Sequence, residues 1–166
     1  MNTIPQILKK ALHPILLLLI VGIVFSTASQ VISRYIFGSP LIWTEELARY
    51  LAIWMVMLTT GLVLGENLHI GLDIITAKFP PKIQKALLLV SLCGILFFSI
   101  VLIIYGWSLV GSVIRARSAA LRISMAWIYS AVPVGAKLIV IYAIMQLITV
   151  IKSGNSNTRA QNEEIA

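Results

Sequence analysis

This sequence has few charged residues, one cysteine and two histidines. Charged residues make up 11% of its 166 positions and hydrophobic residues 59%, which is more apolar than the core of a soluble domain requires. The single cysteine, Cys93, excludes an internal disulfide. We find no metal-ligand spacing, no nucleophile and base arrangement and no phosphate-binding glycine loop. The sequence therefore predicts an integral membrane protein that is not an enzyme and has no cofactor.

The net charge of +7 is explained by basic residues that orient the protein in a membrane. The basic residues lie mostly at the ends of apolar runs, and no basic stripe of the kind that contacts nucleic acid is present. We therefore predict no nucleic-acid partner.

Four apolar runs are long enough to cross a bilayer, whose hydrocarbon core of about 30 Å takes roughly 20 helical residues. The predicted spans are 11–32, 47–64, 86–113 and 125–151. We expect an all-α transmembrane domain over residues 1–152, with short interfacial segments after Gly65 and at 125–132. Residues 153–166, rich in Ser and Asn, are predicted to be a flexible tail.

The orientation follows from the lysines and arginines beside the helix ends. With the N-terminus inside, the inner side holds seven and the outer side four, which predicts that both termini are cytoplasmic. The inner residues are Lys9, Lys10, Lys78, Lys82, Lys85, Lys152 and Arg159. The outer residues are Arg34, Arg115, Arg117 and Arg122.

A charged segment opens the second span. Thr44 is placed to cap its first turn, and Trp43 is at the depth where aromatic rings collect at the membrane interface. Glu45 and Glu46 lie at the positive end of the helix dipole, and Arg49 is within side-chain reach of both. An arginine this close to the bilayer core costs roughly 2.5–3.5 kcal/mol unless it is paired or reaches the interface. We therefore expect Arg49 to have a partner.

Lys137 falls about one turn inside the outer membrane boundary. Its charge and those of Glu45, Glu46 and Arg49 sum to zero, so we hypothesise that the four form one intramembrane network. An ion-pair lock between the second and last spans is favoured about two to one over a contact with another subunit or an ion path.

The charged segment also carries a resemblance to a known family. It resembles the signature of the small membrane subunit, the Q subunit, of tripartite ATP-independent periplasmic (TRAP) transporters, in which Trp-(Ser/Thr)-Glu-Glu-x-Ala-Arg opens the second transmembrane helix. The matching segments, in order, are Trp43–Arg49, His69–Asp73 and Ser118–Ile123, followed by Tyr129, Pro133 and Gly135.

The resemblance implies a scaffold in the bacterial inner membrane. Its partners would be a large membrane subunit that carries the substrate and sodium sites, and a periplasmic binding protein that delivers a carboxylate such as sialic acid or a C4-dicarboxylate. Glu45, Glu46 and Arg49 match motif positions, whereas Lys137 and the outer arginines do not. No sodium site on this chain is implied.

Three outer arginines, Arg115, Arg117 and Arg122, fit the orientation rule poorly. They are predicted either to dock an acidic periplasmic partner or to bind phospholipid phosphates, and the two readings have equal weight. Trp127, like Trp43, is predicted to lie at the membrane interface.

Two other classes have to be considered. A haem or quinone anchor would need histidines facing each other from different helices, but His13 and His69 have no such arrangement. A small four-helix multidrug exporter would need a glutamate within the first span, which is absent here.

Small residues recur along the spans. Close helix contacts are predicted at Gly61, Gly65, Gly106, Gly111, Ser108 and Ser112.

Overall fold

Five helices make up most of the chain. The computed structural model describes residues 3–39, 41–76 and 80–163. Within them lie α1 (Thr3–Ile36), α2 (Ile42–Thr76), α3 (Pro81–Ser112), the short α4 (Met125–Tyr129) and α5 (Ala131–Glu163). Four segments are long and apolar enough to cross a membrane: Leu8–Ile36, Ile42–Gly65, Ala86–Ser112 and Met125–Val150. The predicted all-α fold with four transmembrane helices is confirmed, and the cytoplasmic position of the termini stays a prediction.

The second helix is longer than its predicted span. The segment after Gly65 that we expected to be a separate interfacial element is the continuation of α2 to Thr76. Its polar residues, such as Glu66 and Asn67, do not interrupt the backbone hydrogen bonds of a helix. Proline does interrupt them, and the chain reaches Pro80 and Pro81 only after α2 has ended.

The predicted fourth span is divided at Ser130 into α4 and α5. Ser124 caps α4, because its hydroxyl oxygen accepts the Ala126 N–H at 3.3 Å. Pro133 is tolerated in the first turn of α5, where the N–H that proline lacks would have no partner within the helix. The interfacial position predicted for residues 125–132 stays a prediction.

The last helix extends beyond the predicted span. Its backbone is helical to Glu163, past the boundary expected at residue 152. The flexibility of the tail stays a prediction. Residues 164–166 and Lys78 lie outside the described residues.

The helices are neighbours in the order α1–α2–α5–α3. α1 packs mainly against α2, α2 against α5, and α5 against α3, whereas α2 and α3 scarcely touch. A buried cluster joins the first three members of this row through Leu12 and Leu19 of α1, Leu58 and Leu62 of α2, and Tyr142 of α5. The described helices therefore form an open row instead of a closed bundle.

Glycines allow α2 and α5 to approach closely. A Cβ atom added at Gly135 would lie 2.8 Å from both Cβ and the carbonyl oxygen of Met57. A Cβ atom added at Gly61 would lie 2.8 Å from Cβ of Leu138. Any larger residue at either position would push the two helices apart.

The predicted glycine contacts are confirmed in most cases. Gly65 packs against Tyr142, and Gly106 faces Pro133, whose Cδ would be 3.1 Å from an added Cβ. The prediction is wrong for Gly111, where an added Cβ would meet nothing within 4 Å. Gly111 lies one residue before the end of α3, on a side that no neighbouring helix covers.

Candidate functional site at the loop end of the row

Four helices meet at one end of the row, which we call the loop end: α1 and α3 end there, and α2 and α5 begin there. The turn from α1 to α2 is closed by Ser33, whose hydroxyl donates to the carbonyl oxygen of Ser39, and by Gly38, whose φ of +67° suits glycine. Thr44 is fully buried. It does not cap α2 as predicted, because the helix begins two residues earlier and the Thr44 hydroxyl donates to the Leu41 carbonyl at 2.6 Å.

One predicted ion pair is present. Arg49 Nη2 lies 2.9 Å from Glu45 Oε1, one helical turn away, and the two side chains are 65% and 59% exposed. Exposed pairs of this kind contribute at most about 1 kcal/mol to stability. The pair is therefore available on the surface for a contact with another molecule.

Glu46 has a different set of partners. The Tyr50 hydroxyl donates to its Oε1 at 2.5 Å. Three consecutive backbone N–H groups from the loop after α3 also donate to this carboxylate: Ala119 at 3.2 Å, Ala120 at 2.9 Å and Leu121 at 2.8 Å. Successive N–H groups directed at one point form an anion-binding concavity, which we call the nest. Glu46 fills the nest and thereby attaches the loop to the first turns of α2.

The loop that carries the nest is itself folded back. The backbone N–H of Ser118 donates to the Ile123 carbonyl at 2.9 Å, and Arg117 Nη1 donates to the Arg122 carbonyl at 3.2 Å. The fold requires a left-handed conformation at Arg122, whose φ is +54°. We refer to residues 113–124 as the anchored loop.

The structure does not bring Lys137 to the glutamates. Its Nζ lies 5.1 Å from the ring centroid of Trp107 on α3. Since α5 packs against α3 as well as α2, Lys137 can lie on the α3 side of its helix, and the carboxylates of Glu45 and Glu46 are occupied by Arg49 and the nest. The hypothesis of one four-residue network is wrong in this respect: the charges are divided among three separate contacts.

The predicted interfacial aromatic residues also lie near the loop end. Trp127 packs on Trp54 with ring centroids 5.7 Å apart and an interplanar angle of 40°, and 67% of Trp127 remains exposed. Trp43 is 39% exposed. The Tyr50 hydroxyl that donates to Glu46 also lies 3.8 Å from Met125 Sδ. The start of α2 thus contacts both the anchored loop and α4.

The three outer arginines share one exposed surface element. Arg115, Arg117 and Arg122 are all exposed and all belong to the anchored loop. Because Glu46 holds this loop, the structure connects the glutamate pair with the arginine triplet, which the sequence analysis treated as separate.

The structure describes the side chain of only one of the two histidines. His13 Nδ1 lies 3.3 Å from the Lys9 carbonyl oxygen, and the side chain of His69 lies outside the described residues. No group of three His, Cys, Asp or Glu side chains that could hold a metal ion occurs among the described residues.

Sequence reasoning missed the contact between Glu46 and the nest. Every residue except proline has a backbone N–H group, so the identities of Ala119 and Ala120 did not indicate that they bind a carboxylate. The available signal was indirect: Glu46 and the loop both lie in segments that carry the family resemblance.

The four apolar segments and the loop-end contacts define the class, a multi-pass α-helical membrane protein. The particular family follows from comparison with known proteins. The profile of the family described as tripartite ATP-independent periplasmic transporters, DctQ component, matches residues 23–153, and the chain belongs to this family.

Several curated proteins are similar. The sialic acid TRAP transporter permease protein SiaT of Haemophilus influenzae is 33% identical over 133 residues, which is 77% of this chain and 21% of that protein. The C4-dicarboxylate TRAP transporter small permease protein DctQ of Vibrio cholerae is 32% identical over 82 residues, 49% of this chain and 35% of that protein. The sialic acid TRAP transporter small permease protein SiaQ of Vibrio cholerae is 24% identical over 123 residues, 74% and 71% of the two chains.

The match covers less than two thirds of the length of the first two relatives. The family match shows which transporter component the chain is, and the four apolar segments show that it is a membrane protein. The chain is a small permease component of a TRAP transporter and a multi-pass protein of the bacterial inner membrane.

Proposed function

We propose that this chain is the scaffold subunit of a sodium-coupled TRAP transporter. It would support a large membrane subunit that takes up a carboxylate, while a periplasmic binding protein delivers the substrate. The names of the relatives support sialic acid or a C4-dicarboxylate as that carboxylate. With both termini cytoplasmic, as proposed from the basic residues, the loop end faces the periplasm.

The observation that carries this proposal is the open row of helices. Large apolar side chains are exposed on its outer members: Leu18 (71%) and Phe25 (65%) on α1, and Val90 (70%) and Phe97 (72%) on α3. Surfaces of this kind are covered by lipid or by another membrane protein. A row of helices, apolar at both margins, offers a large subunit a long lateral surface.

The distribution of charge supports a scaffold over a carrier. Transporters that work alone place ionisable groups near the middle of the membrane. Here Glu45, Glu46, Arg49 and Lys137 lie in the first turns of α2 and α5. We therefore propose that this chain binds its partners at the loop end, whereas the large subunit binds the substrate and sodium.

The anchored loop is the proposed contact for the binding protein. Arg115, Arg117 and Arg122 give it three positive charges, which suit an acidic surface and would speed encounter. Binding of phospholipid phosphate is the equally weighted alternative. Replacing all three by Gln and measuring uptake over a range of salt concentrations separates them: docking predicts a weaker salt dependence in the variant, and an unchanged salt response excludes it.

Reconstitution tests the proposal directly. Liposomes should contain this chain and the large TRAP subunit of the same bacterium. The binding protein and the labelled carboxylate are added outside, and the sodium concentration is higher outside than inside. We expect uptake from the complete set, loss of uptake when this chain is omitted, and no uptake by this chain alone. Uptake by this chain alone, or full uptake without it, would contradict the scaffold role.

A further inference from the structure

Lys137 is a cation inside an apolar span. Its Nζ lies 5.1 Å from the ring centroid of Trp107, and no ion pair to it is present among the described residues. The two glutamates at the loop end have other partners, because Glu45 pairs with Arg49 and Glu46 fills the nest. A cation at membrane depth is stabilised by a counter-charge, and an aromatic face supplies only part of that stabilisation.

The surface beside Lys137 is open. Lys137 itself is exposed, and 46% of Trp107 is exposed. Gly111 lies one helical turn after Trp107 on the same face of α3, and an added Cβ there would meet nothing within 4 Å. Arg115, also exposed, follows shortly after the end of α3. Lys137, Trp107 and Gly111 are therefore exposed where α3 lies beside α5, and we call these three residues the open surface.

The depth of the open surface suits a lipid headgroup. Lys137 and Trp107 lie about 9 and 7.5 Å along their helices from the loop end, at 1.5 Å per residue. A lysine at this depth extends its ammonium group to the phosphate level of the bilayer while its carbon chain stays in apolar surroundings. Tryptophan prefers the same level.

We propose that Lys137 and Trp107 form a binding site for the phosphate of an anionic glycerophospholipid, with the acyl chains lying along α3. Lysines near the membrane surface attract acidic headgroups. A lipid phosphate lies at the membrane level that Lys137 and Trp107 reach, and it supplies the counter-charge that Lys137 lacks among the described residues.

Lipid retention by the full chain tests the site. The chain is purified in detergent, mixed with phosphatidylglycerol or phosphatidylcholine, and the bound lipid is counted by native mass spectrometry. We expect the wild type to prefer phosphatidylglycerol. Lys137→Gln should weaken that preference about fivefold, Trp107→Leu about two- to fivefold, and Lys137→Arg should retain it.

Arg34→Gln is the matched control, because it removes one exposed positive charge at the same end of the row and leaves the open surface unchanged. It should keep the wild-type preference. Equal retention of both lipids by the wild type would overturn the proposal, and this measurement does not depend on any variant folding. An unchanged preference in Lys137→Gln, with weaker copurification of the large subunit, would overturn it in favour of a protein carboxylate as the counter-charge.

Discussion

The carboxylate of Glu46 accepts the backbone N–H of Leu121 at 2.8 Å, across 75 positions of sequence. Together with the N–H groups of Ala119 and Ala120, this bond fixes the anchored loop to the beginning of α2. The exposed arginines of the loop are consequently held in position by an acid from a different helix.

Replacing Glu46 by Gln should release the anchored loop. The amide retains one acceptor oxygen, but it directs an NH2 group towards N–H donors that need an acceptor, so the nest is left partly unsatisfied. We expect trypsin to cleave after Arg115, Arg117 and Arg122 severalfold faster than in the wild type, and the unfolding temperature to fall. Glu45→Gln is the control, since Glu45 does not contact the loop and should leave the cleavage rate unchanged. Equal cleavage of the Glu46 variant and wild type would contradict the role of the nest.

Replacing Gly135 by Ala should separate α2 from α5. The added methyl group would lie 2.8 Å from Met57 Cβ and its carbonyl oxygen, and the resulting displacement should cost about 1–3 kcal/mol. Gly94→Ala is the matched control, because Gly94 is also helical and has nothing within 4 Å of an added Cβ. Thermal unfolding of the two purified variants should show a loss of stability only at position 135. Equal unfolding temperatures would mean that the helices accommodate the methyl group.

Replacing Arg122 by Gly should stabilise the loop. The φ of +54° costs an ordinary L-residue roughly 1–2 kcal/mol, and glycine does not incur this cost. Arg122→Val should destabilise the protein instead, because β-branched residues tolerate this conformation least. Thermal unfolding measures both effects. If the arginine docks a partner, the glycine variant will be more stable yet bind the periplasmic protein more weakly, which separates conformation from charge.

Replacing Arg49 by Ala should impair assembly more than folding. The pair with Glu45 is exposed, so its loss should lower the stability of the isolated chain by at most about 1 kcal/mol. We propose that the exposed Arg49 side chain contacts the large subunit, so copurification with that subunit should decrease. Arg49→Lys is the control variant, because it keeps the positive charge at this position. Normal copurification and uptake by the alanine variant would exclude Arg49 from the interface.

The helices were predictable because the bilayer imposes a strong pattern on the sequence. Apolar runs located all four spans, and the spacing of Glu45 and Arg49 predicted their ion pair. The end of α2 was not predictable from polarity, since Glu66 begins a polar stretch that the helix continues through. A helix ends where its hydrogen bonds end, and composition records that point only when proline or a cap marks it.

The site was harder to predict for a related reason. Depth along a helix follows from residue number, but rotation about the helix axis depends on the neighbour, and this rotation placed Lys137 beside Trp107 instead of the glutamates. The nest consists of backbone groups at Ala119, Ala120 and Leu121, which every sequence offers. Only the fold determines which of them converge on a carboxylate.

The order of the helices in the row also determines how the protein should respond to mechanical force. α1 packs mainly against α2. A force applied to the N-terminus would therefore separate α1 from one neighbour while the contact between α5 and α3 remains intact. α5 has substantial contacts on both sides, and extracting it would rupture two helix interfaces together. Single-molecule extraction from a bilayer should therefore record a low first force peak when pulling begins at the N-terminus.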